Sequence, residues 1–197
     1  ILMLTGLTLG LPLIVPIVLT AEKRRKTFLQ RLGLAGLPES IRQPNLPCAN
    51  NRPIWVHAVS VGEVISAVPL VKALVGSLED KSIVFSAATK TGFEVANKLL
   101  KKRVDAIFFY PYDLVFSVKH VIGKIDPAVV ILVETDIWPN FLVELKKREV
   151  PVALVNARLS KNSFLGYKRF SFFMKPLFMT FAKICAQSME DARRFEN

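Results

Sequence analysis

The sequence predicts an α/β domain built on a doubly wound, mostly parallel sheet and preceded by an N-terminal membrane helix. Three observations lead there. Short β-branched or apolar runs recur between residues 54 and 186, and each gap between them is helix-sized, with apolar residues three and four apart. Residues 1–21 carry no charge. Strand, helix, strand over such a length implies parallel neighbours joined by crossover helices that cover both sheet faces.

A helix rises about 1.5 Å per residue, so about twenty apolar residues span the roughly 30 Å hydrocarbon core of a bilayer. Ile1 to Ala21 meets that length, and Lys23, Arg24, Arg25, Lys26 and Arg31 follow it. Basic clusters of this kind stay on the cytoplasmic side. Residues 1–21 are therefore expected to anchor the chain in a membrane, with the remainder on its cytoplasmic face. A signal peptide, a buried helix and an interfacial segment compete with this reading. The signal peptide is disfavoured, because no base precedes the apolar run and Leu19-Thr20-Ala21 is a poor cleavage site. The chain begins at Ile1 rather than Met, so further residues are expected upstream.

Residues 22–53 read as a basic segment and linker, with Pro38, Pro44, Pro47, Pro53, Gly36, Asn45, Asn50 and Asn51. Residues 54–197 form the sheet domain. Its strands are expected at 54–59, 83–86, 106–109, 128–133, 152–155 and 183–186. Val64, Val68, Val71 and Leu74 mark one helix, and Phe141, Leu142 and Leu145 another. The stretch 164–181 holds six Phe among Lys168, Arg169 and Lys175. It is expected to be a buried helix interrupted at Pro176, with a helix dipping into lipid as the alternative.

Composition narrows the function classes. The 197-residue chain is 51% hydrophobic and 22% charged, which excludes disorder, collagen and coiled coil. A net charge of +11 suits nucleic acid, anionic lipid or a phosphorylated substrate. Aromatics interleaved with bases also suit nucleic acid, yet no nucleic-acid motif accompanies them, so none is expected as partner. Cys48 and Cys185, with His57 and His120, make no metal-ligand spacing, so neither a metal site nor a disulfide scaffold is expected.

Ligands of doubly wound sheets sit beyond the carboxyl ends of the strands. The distinctive polar residues all follow predicted strands: Ser60, Gly62 and Glu63; Thr89, Lys90, Thr91 and Gly92; Tyr110, Tyr112 and Asp113; Glu134, Asp136, Trp138 and Asn140; Asn156, Arg158 and Ser160; Gln187 and Ser188. About half of them need do no more than cap helices, and Asp113 and Ser188 are the plainest N-cap candidates. Glu63 admits two readings, a first-turn carboxylate stabilised by the helix dipole and a general base for a sugar hydroxyl. Gly62 would let backbone approach a substrate. Glu134 ends a strongly apolar strand at the lip of the sheet, with an ion pair to a neighbouring basic loop residue, Arg158 being one candidate, as its structural alternative. Residues 89–92 offer hydroxyls, an ammonium and helix N–H groups to an anion, without forming a P-loop or a dinucleotide fingerprint. Pro139 suits a helix start, and Trp138 is either core or a stacking surface.

Five strings together resemble one family: 55–63 (WVHAVSVGE), 110–113 (YPYD), 134–140 (ETDIWPN), 156–160 (NARLS) and 186–192 (AQSMEDA). They are similar to the 3-deoxy-D-manno-octulosonic acid (Kdo) transferases of lipopolysaccharide assembly, in that family's order. The resemblance implies the N-terminal, Rossmann-like half of a GT-B glycosyltransferase. Such an enzyme is inverting and metal-independent, and moves Kdo from CMP-Kdo to a lipid A precursor, an anionic glycolipid. It implies Glu63 as the base and a role in activity for Glu134. Ser60, Gly62, Thr89, Thr91, Gly92, Trp138, Asn156 and Arg158 are the expected substrate-binding residues. Asp136 stands where the family commonly has Glu, and 86–91 replaces a Thr-rich run, which weakens hydroxyl contacts there. The resemblance also places a nucleotide-binding domain beyond Asn197, so the polypeptide alone is expected to transfer little. A non-catalytic, membrane-anchored glycolipid-binding remnant and a transferase for another sugar are the competing readings.

Overall fold

The computed structural model describes residues 22–34, 37, 38, 52–78, 80–134 and 137–196. The anchor predicted for 1–21 and most of the Pro-rich stretch lie outside them. Among the described residues no helix is long and apolar enough to cross a membrane.

The elements are α1 (Glu22–Arg31), β1 (Ile54–Ala58), α2 (Val61–Ser77), β2 (Ile83–Ala87), α3 (Lys90–Leu100), β3 (Ala106–Phe109), α4 (Val115–Ile125), β4 (Val129–Val133), α5 (Pro139–Lys147), β5 (Val152–Ala157), α6 (Lys161–Arg169), α7 (Ser171–Phe178), β6 (Phe181–Ala186) and α8 (Met189–Glu196). All six strands run parallel in the order β3-β2-β1-β4-β5-β6. Each predicted strand is present. β6 begins at Phe181, two residues before the predicted start, because the helix preceding it ends at Phe178.

Strand alternation sends side chains to two cores. Val56 and Ala58 of β1 pack with Val64, Ala67 and Val71 of α2 and with Ala96 and Leu100 of α3. Trp55 faces the other way, against Val118 and Ile122 of α4 and Phe141 and Leu145 of α5. Each fully buried aliphatic or aromatic side chain of this kind contributes about 1.5–3 kcal/mol. The sheet is thus clamped from both sides, as apolar parallel strands require.

α1 docks beside this body through its C-terminal turn. The carbonyl of Arg31 accepts from Tyr112 N at 2.9 Å and from Ser117 Oγ at 2.6 Å, while its Nε donates to the Tyr110 carbonyl at 3.1 Å. Gly33 follows at φ +75, and a Cβ there would stand 3.1 Å from His120 Cδ2, so this turn needs glycine on both counts.

The Phe-rich stretch departs from expectation. It is two short helices, α6 and α7, rather than one buried helix, and neither contains a buried residue. The chain breaks at Phe170, ahead of Pro176, and a cavity of about 270 Å³ lined by Phe164, Tyr167, Met174 and Phe178 lies between the pair and β6 and α8, beside the contacts of the Phe178 ring with Phe181 and Phe195. High apolar content alone does not bury a helix; a covering surface does, and no other described element covers the outer side of this pair.

Candidate functional site

The strand order reverses direction between β1 and β4. From β1 the chain winds outward through β2 and β3, and from β4 it winds the other way through β5 and β6. The loops leaving β1 and β4 therefore diverge to opposite faces and leave a crevice between them, the usual ligand position in open parallel sheets. Glu63 follows β1 and Glu134 follows β4. The two carboxylates singled out from the sequence flank this switch point.

Glu63 is held by a capping box. Ser60 is the N-cap of α2; its hydroxyl accepts from Glu63 N at 3.5 Å and donates to Glu63 Oε1 at 2.7 Å. Ser60 N and Val59 N donate to the same carboxylate at 3.2 and 2.6 Å. Such boxes satisfy N–H groups that a helix start leaves unpaired. A general base for a sugar hydroxyl calls for a carboxylate open to the crevice, and here the general-base reading is corrected in its geometry: Glu63 is only 7% exposed. It lies on the predicted rim, turned into its own helix start. A carboxylate has about four acceptor directions, and the three hydrogen bonds leave one.

Glu134 is the more accessible of the pair. It is half-buried, and its backbone is left-handed at φ +61, with its N–H donating to the Val155 carbonyl at 2.9 Å. A non-glycine residue in that region costs about 1–3 kcal/mol and such strain gathers at functional sites. Burial raises its carboxyl pKa above the usual carboxylate value, the Glu63 charge raises it further, and the Arg158 guanidinium opposes both. On the adjacent strand Asn156 is also left-handed, at φ +53, a conformation its short polar side chain tolerates well. Arg158, just beyond β5, is exposed and acts electrostatically on both Glu134 and Asp191.

The remaining predicted residues divide by role. Thr89 is the N-cap of α3: its Oγ1 accepts from Gly92 N at 3.0 Å and donates to the Val59 carbonyl at 3.0 Å. A Cβ on Gly92 would meet that oxygen at 2.8 Å, so Gly92 is there for packing between the β1 and β2 loops. Thr91 is exposed one turn residue further on. Gly62 is exposed too, and a Cβ there would meet nothing within 4 Å. No packing demand explains it. Trp138 precedes Pro139, which opens α5 as expected, and its half-buried ring lies 5.3 Å from Tyr110. Thr135 and Asp136 lie outside the described residues. Among the described residues no three His, Cys, Asp or Glu side chains are grouped to hold a metal ion.

Of the two plain N-cap candidates, Ser188 caps its own helix, accepting from Asp191 N at 3.1 Å. Asp113 does not. Its carboxylate accepts from Asn140 N at 3.1 Å and Phe141 N at 2.9 Å, so it caps α5 from the neighbouring loop, and its own helix α4 has Leu114 at the N-cap, with no side-chain cap.

One group escaped the sequence reading. His57 on β1 is 2% exposed, stacked on Tyr110 at 3.8 Å, with Nδ1 2.9 Å from Ser86 Oγ, which also accepts from Trp55 Nε1 at 2.7 Å. Burial drives its pKa down to about 3, so the ring is neutral beneath the site. The signal was a lone histidine at alternate spacing to Trp55 in an apolar strand, which the period places on the Trp55 face.

A parallel, doubly wound sheet with a carboxylate on each side of its switch point places the chain in the Rossmann-like α/β class. The particular family follows from comparison: residues 26–197 match the family model of 3-deoxy-D-manno-octulosonic-acid transferase, and the chain belongs to that family. It is 32% identical over 177 residues to the 3-deoxy-D-manno-octulosonic acid transferase of Haemophilus influenzae, covering 89% of this chain and 39% of that protein. It is 36% identical over 143 residues to a bifunctional glycosyltransferase/methyltransferase of Fusobacterium nucleatum, covering 72% of this chain and 22% of that protein. The chain thus spans well under half the length of these relatives. Among solved structures, a putative UDP-N-acetylglucosamine 2-epimerase from Listeria monocytogenes superposes with a TM-score of 0.53 at 14% identity, over 74% of this chain and 42% of that one. At that identity the likeness speaks to the fold.

Proposed function

We propose that this chain is the acceptor side of an inverting Kdo transferase that moves Kdo from CMP-Kdo to a lipid A precursor at a membrane, with a further domain holding the donor. The observation that carries the reading is the pair Glu63 and Glu134 flanking the β1/β4 switch point in a chain of this family. In the step itself an acceptor hydroxyl oxygen bonds to the anomeric carbon, the bond from that carbon to the CMP phosphate oxygen breaks, and CMP leaves. The hydroxyl proton passes to a carboxylate.

Glu63 receives that proton through the acceptor direction its capping box leaves free, and the box fixes the carboxylate in place beforehand. Positioning of that kind supplies part of the rate. Gly62 leaves room above α2 for the sugar, and Arg158, Lys90 and the N-terminus of α3 favour the anionic groups of donor and acceptor. No step here is assigned to a metal.

A second assignment within the same reaction exchanges the two carboxylates. It is favoured by the partial exposure of Glu134 and its raised pKa, which brings a base nearer the operating pH. Glu63→Gln and Glu134→Gln in the full-length protein separate the two. Glu63→Gln retains a residue that capping boxes accept at this position, so the variant is expected to fold. If Glu63 is the base, its turnover with CMP-Kdo and lipid A precursor falls by the 10²–10⁴-fold typical of a lost general base, while Glu134→Gln loses less. The reverse ranking transfers the role to Glu134, and near-normal turnover in both removes the carboxylate mechanism.

A further inference from the structure

The outer side of α6 and α7 is apolar, basic and uncovered by any other described element. Phe170, Phe172, Phe173 and Met179 are 61, 84, 64 and 72% exposed, and Leu165 on α6 is 55% exposed. Around them Lys161, Lys168, Arg169, Lys175 and Lys183 are all exposed. From Leu159 to Met189 the sequence holds these five bases and no acid, nearly half of the chain's net charge of +11 in 31 residues. A water-facing helix pair has no use for two adjacent phenylalanines at that exposure, and apolar patches of this kind mark interaction sites.

The charge selects the partner. Most protein surfaces mix both signs, whereas the headgroup plane of an anionic bilayer is uniformly negative and sits directly above a layer that accepts aromatic rings. We propose that α6 and α7 lie on the anionic surface of a lipid bilayer, with Phe172 and Phe173 inserted at the level of the acyl boundary and the Lys and Arg side chains among the headgroup phosphates. Ser160, the N-cap of α6, lies three residues beyond the C-terminal end of β5, so this surface begins on the same edge of the sheet as Glu63 and Glu134. A bilayer held there places a membrane-embedded acceptor beside the crevice. The inference rests on the acceptor being membrane-resident, but its test needs no sugar transfer, so the two readings fail separately.

The test uses the full-length protein on vesicles of phosphatidylcholine with phosphatidylglycerol, some carrying bromine on the acyl chains. Residues 1–21 can hold the chain to vesicles by themselves, so the readout is local. Phe172→Trp places a fluorophore in α7, and Leu99→Trp places one on α3, which packs on the opposite face of the sheet. Expected is a blue-shifted emission quenched by brominated lipid for Phe172→Trp, absent for Leu99→Trp. Neutralising Lys168, Arg169 and Lys175 to Gln in the Phe172→Trp background is expected to weaken the quenching contact about fivefold per residue removed. Unquenched Phe172→Trp emission on vesicle-bound protein overturns the proposal. So does a blue shift that follows protein concentration without lipid, which would assign the face to a second copy of the chain. Equal quenching on purely zwitterionic vesicles overturns the electrostatic half.

Discussion

Glu63 and Glu134 are coupled across the gap between β1 and β4: the charge of Glu63, fixed by the Ser60 capping box, pushes the carboxyl pKa of Glu134 upward on top of the effect of burial. Like charges that share a site push titrations apart, and separated titrations divide tasks between carboxylates.

Removing the charge at position 63 removes one of the two causes that raise the Glu134 pKa. In Glu63→Gln the Glu134 carboxyl is therefore expected to titrate at lower pH than in the parent protein, though still above an exposed Glu, because burial remains. Titration of the Glu134 side-chain carbonyl by NMR reads this directly. An unchanged midpoint would show that the two groups do not sense each other.

Ser60→Ala removes the hydroxyl that both accepts from Glu63 N and donates to Glu63 Oε1. Loss of an N-cap of this type costs about 1 kcal/mol, up to 2. The expected result is a lower midpoint in urea with an unchanged slope, and a Glu63 carboxylate less firmly placed.

Two glycines at the site should answer an added methyl differently. Gly92→Ala brings a Cβ to 2.8 Å from Thr89 Oγ1 and 3.2 Å from the Val59 carbonyl, an overpacking expected to cost about 1–3 kcal/mol. Gly62→Ala meets nothing within 4 Å and lies in a helix, where Ala is favoured over Gly by roughly 0.5–1 kcal/mol. Thermal unfolding should therefore separate the two variants in opposite directions. In the full-length protein Gly62→Ala is expected to lose transfer all the same, since the methyl occupies the approach to α2.

His57 makes stability depend on pH in a defined window. Its pKa falls from 6.5 to about 3 on folding, so between those values the unfolded chain binds a proton that the folded chain refuses. Stability attributable to this group is complete above pH 6.5 and is lost as pH falls toward 3, at about 1.4 kcal/mol per pH unit for one proton. Urea denaturation between pH 4 and 6.5 should show a shallower slope for His57→Gln than for the parent. Equal slopes would assign the acid sensitivity to carboxylates alone.

The strands were legible because five- and six-residue apolar runs such as Val129–Val133 can only be central parallel strands once helix-sized gaps separate them. The ligand edge followed, since polar clusters after strands must share it. What was not legible depended on neighbours remote in sequence. Nothing local to Glu63 shows which side its carboxylate turns, because capping and catalysis call for the same residue at the same place. The left-handed backbone of Glu134 leaves no mark, since glutamate rarely adopts it. The Phe-rich stretch misled for the same reason: its apolar content was plain, but whether protein or something else covers it is a property of the assembled surface.

Asp113 caps α5 from the far side of a loop, and Asn140 Nδ2 returns a hydrogen bond to the Asp113 carbonyl at 2.6 Å. The start of α5 is thus fastened by a residue that belongs to the preceding βα turn. Any chimaera that swaps the segment carrying Glu134 and Trp138 for that of a relative must import the turn at 110–113 with it, or the transplanted lip will arrive unmoored.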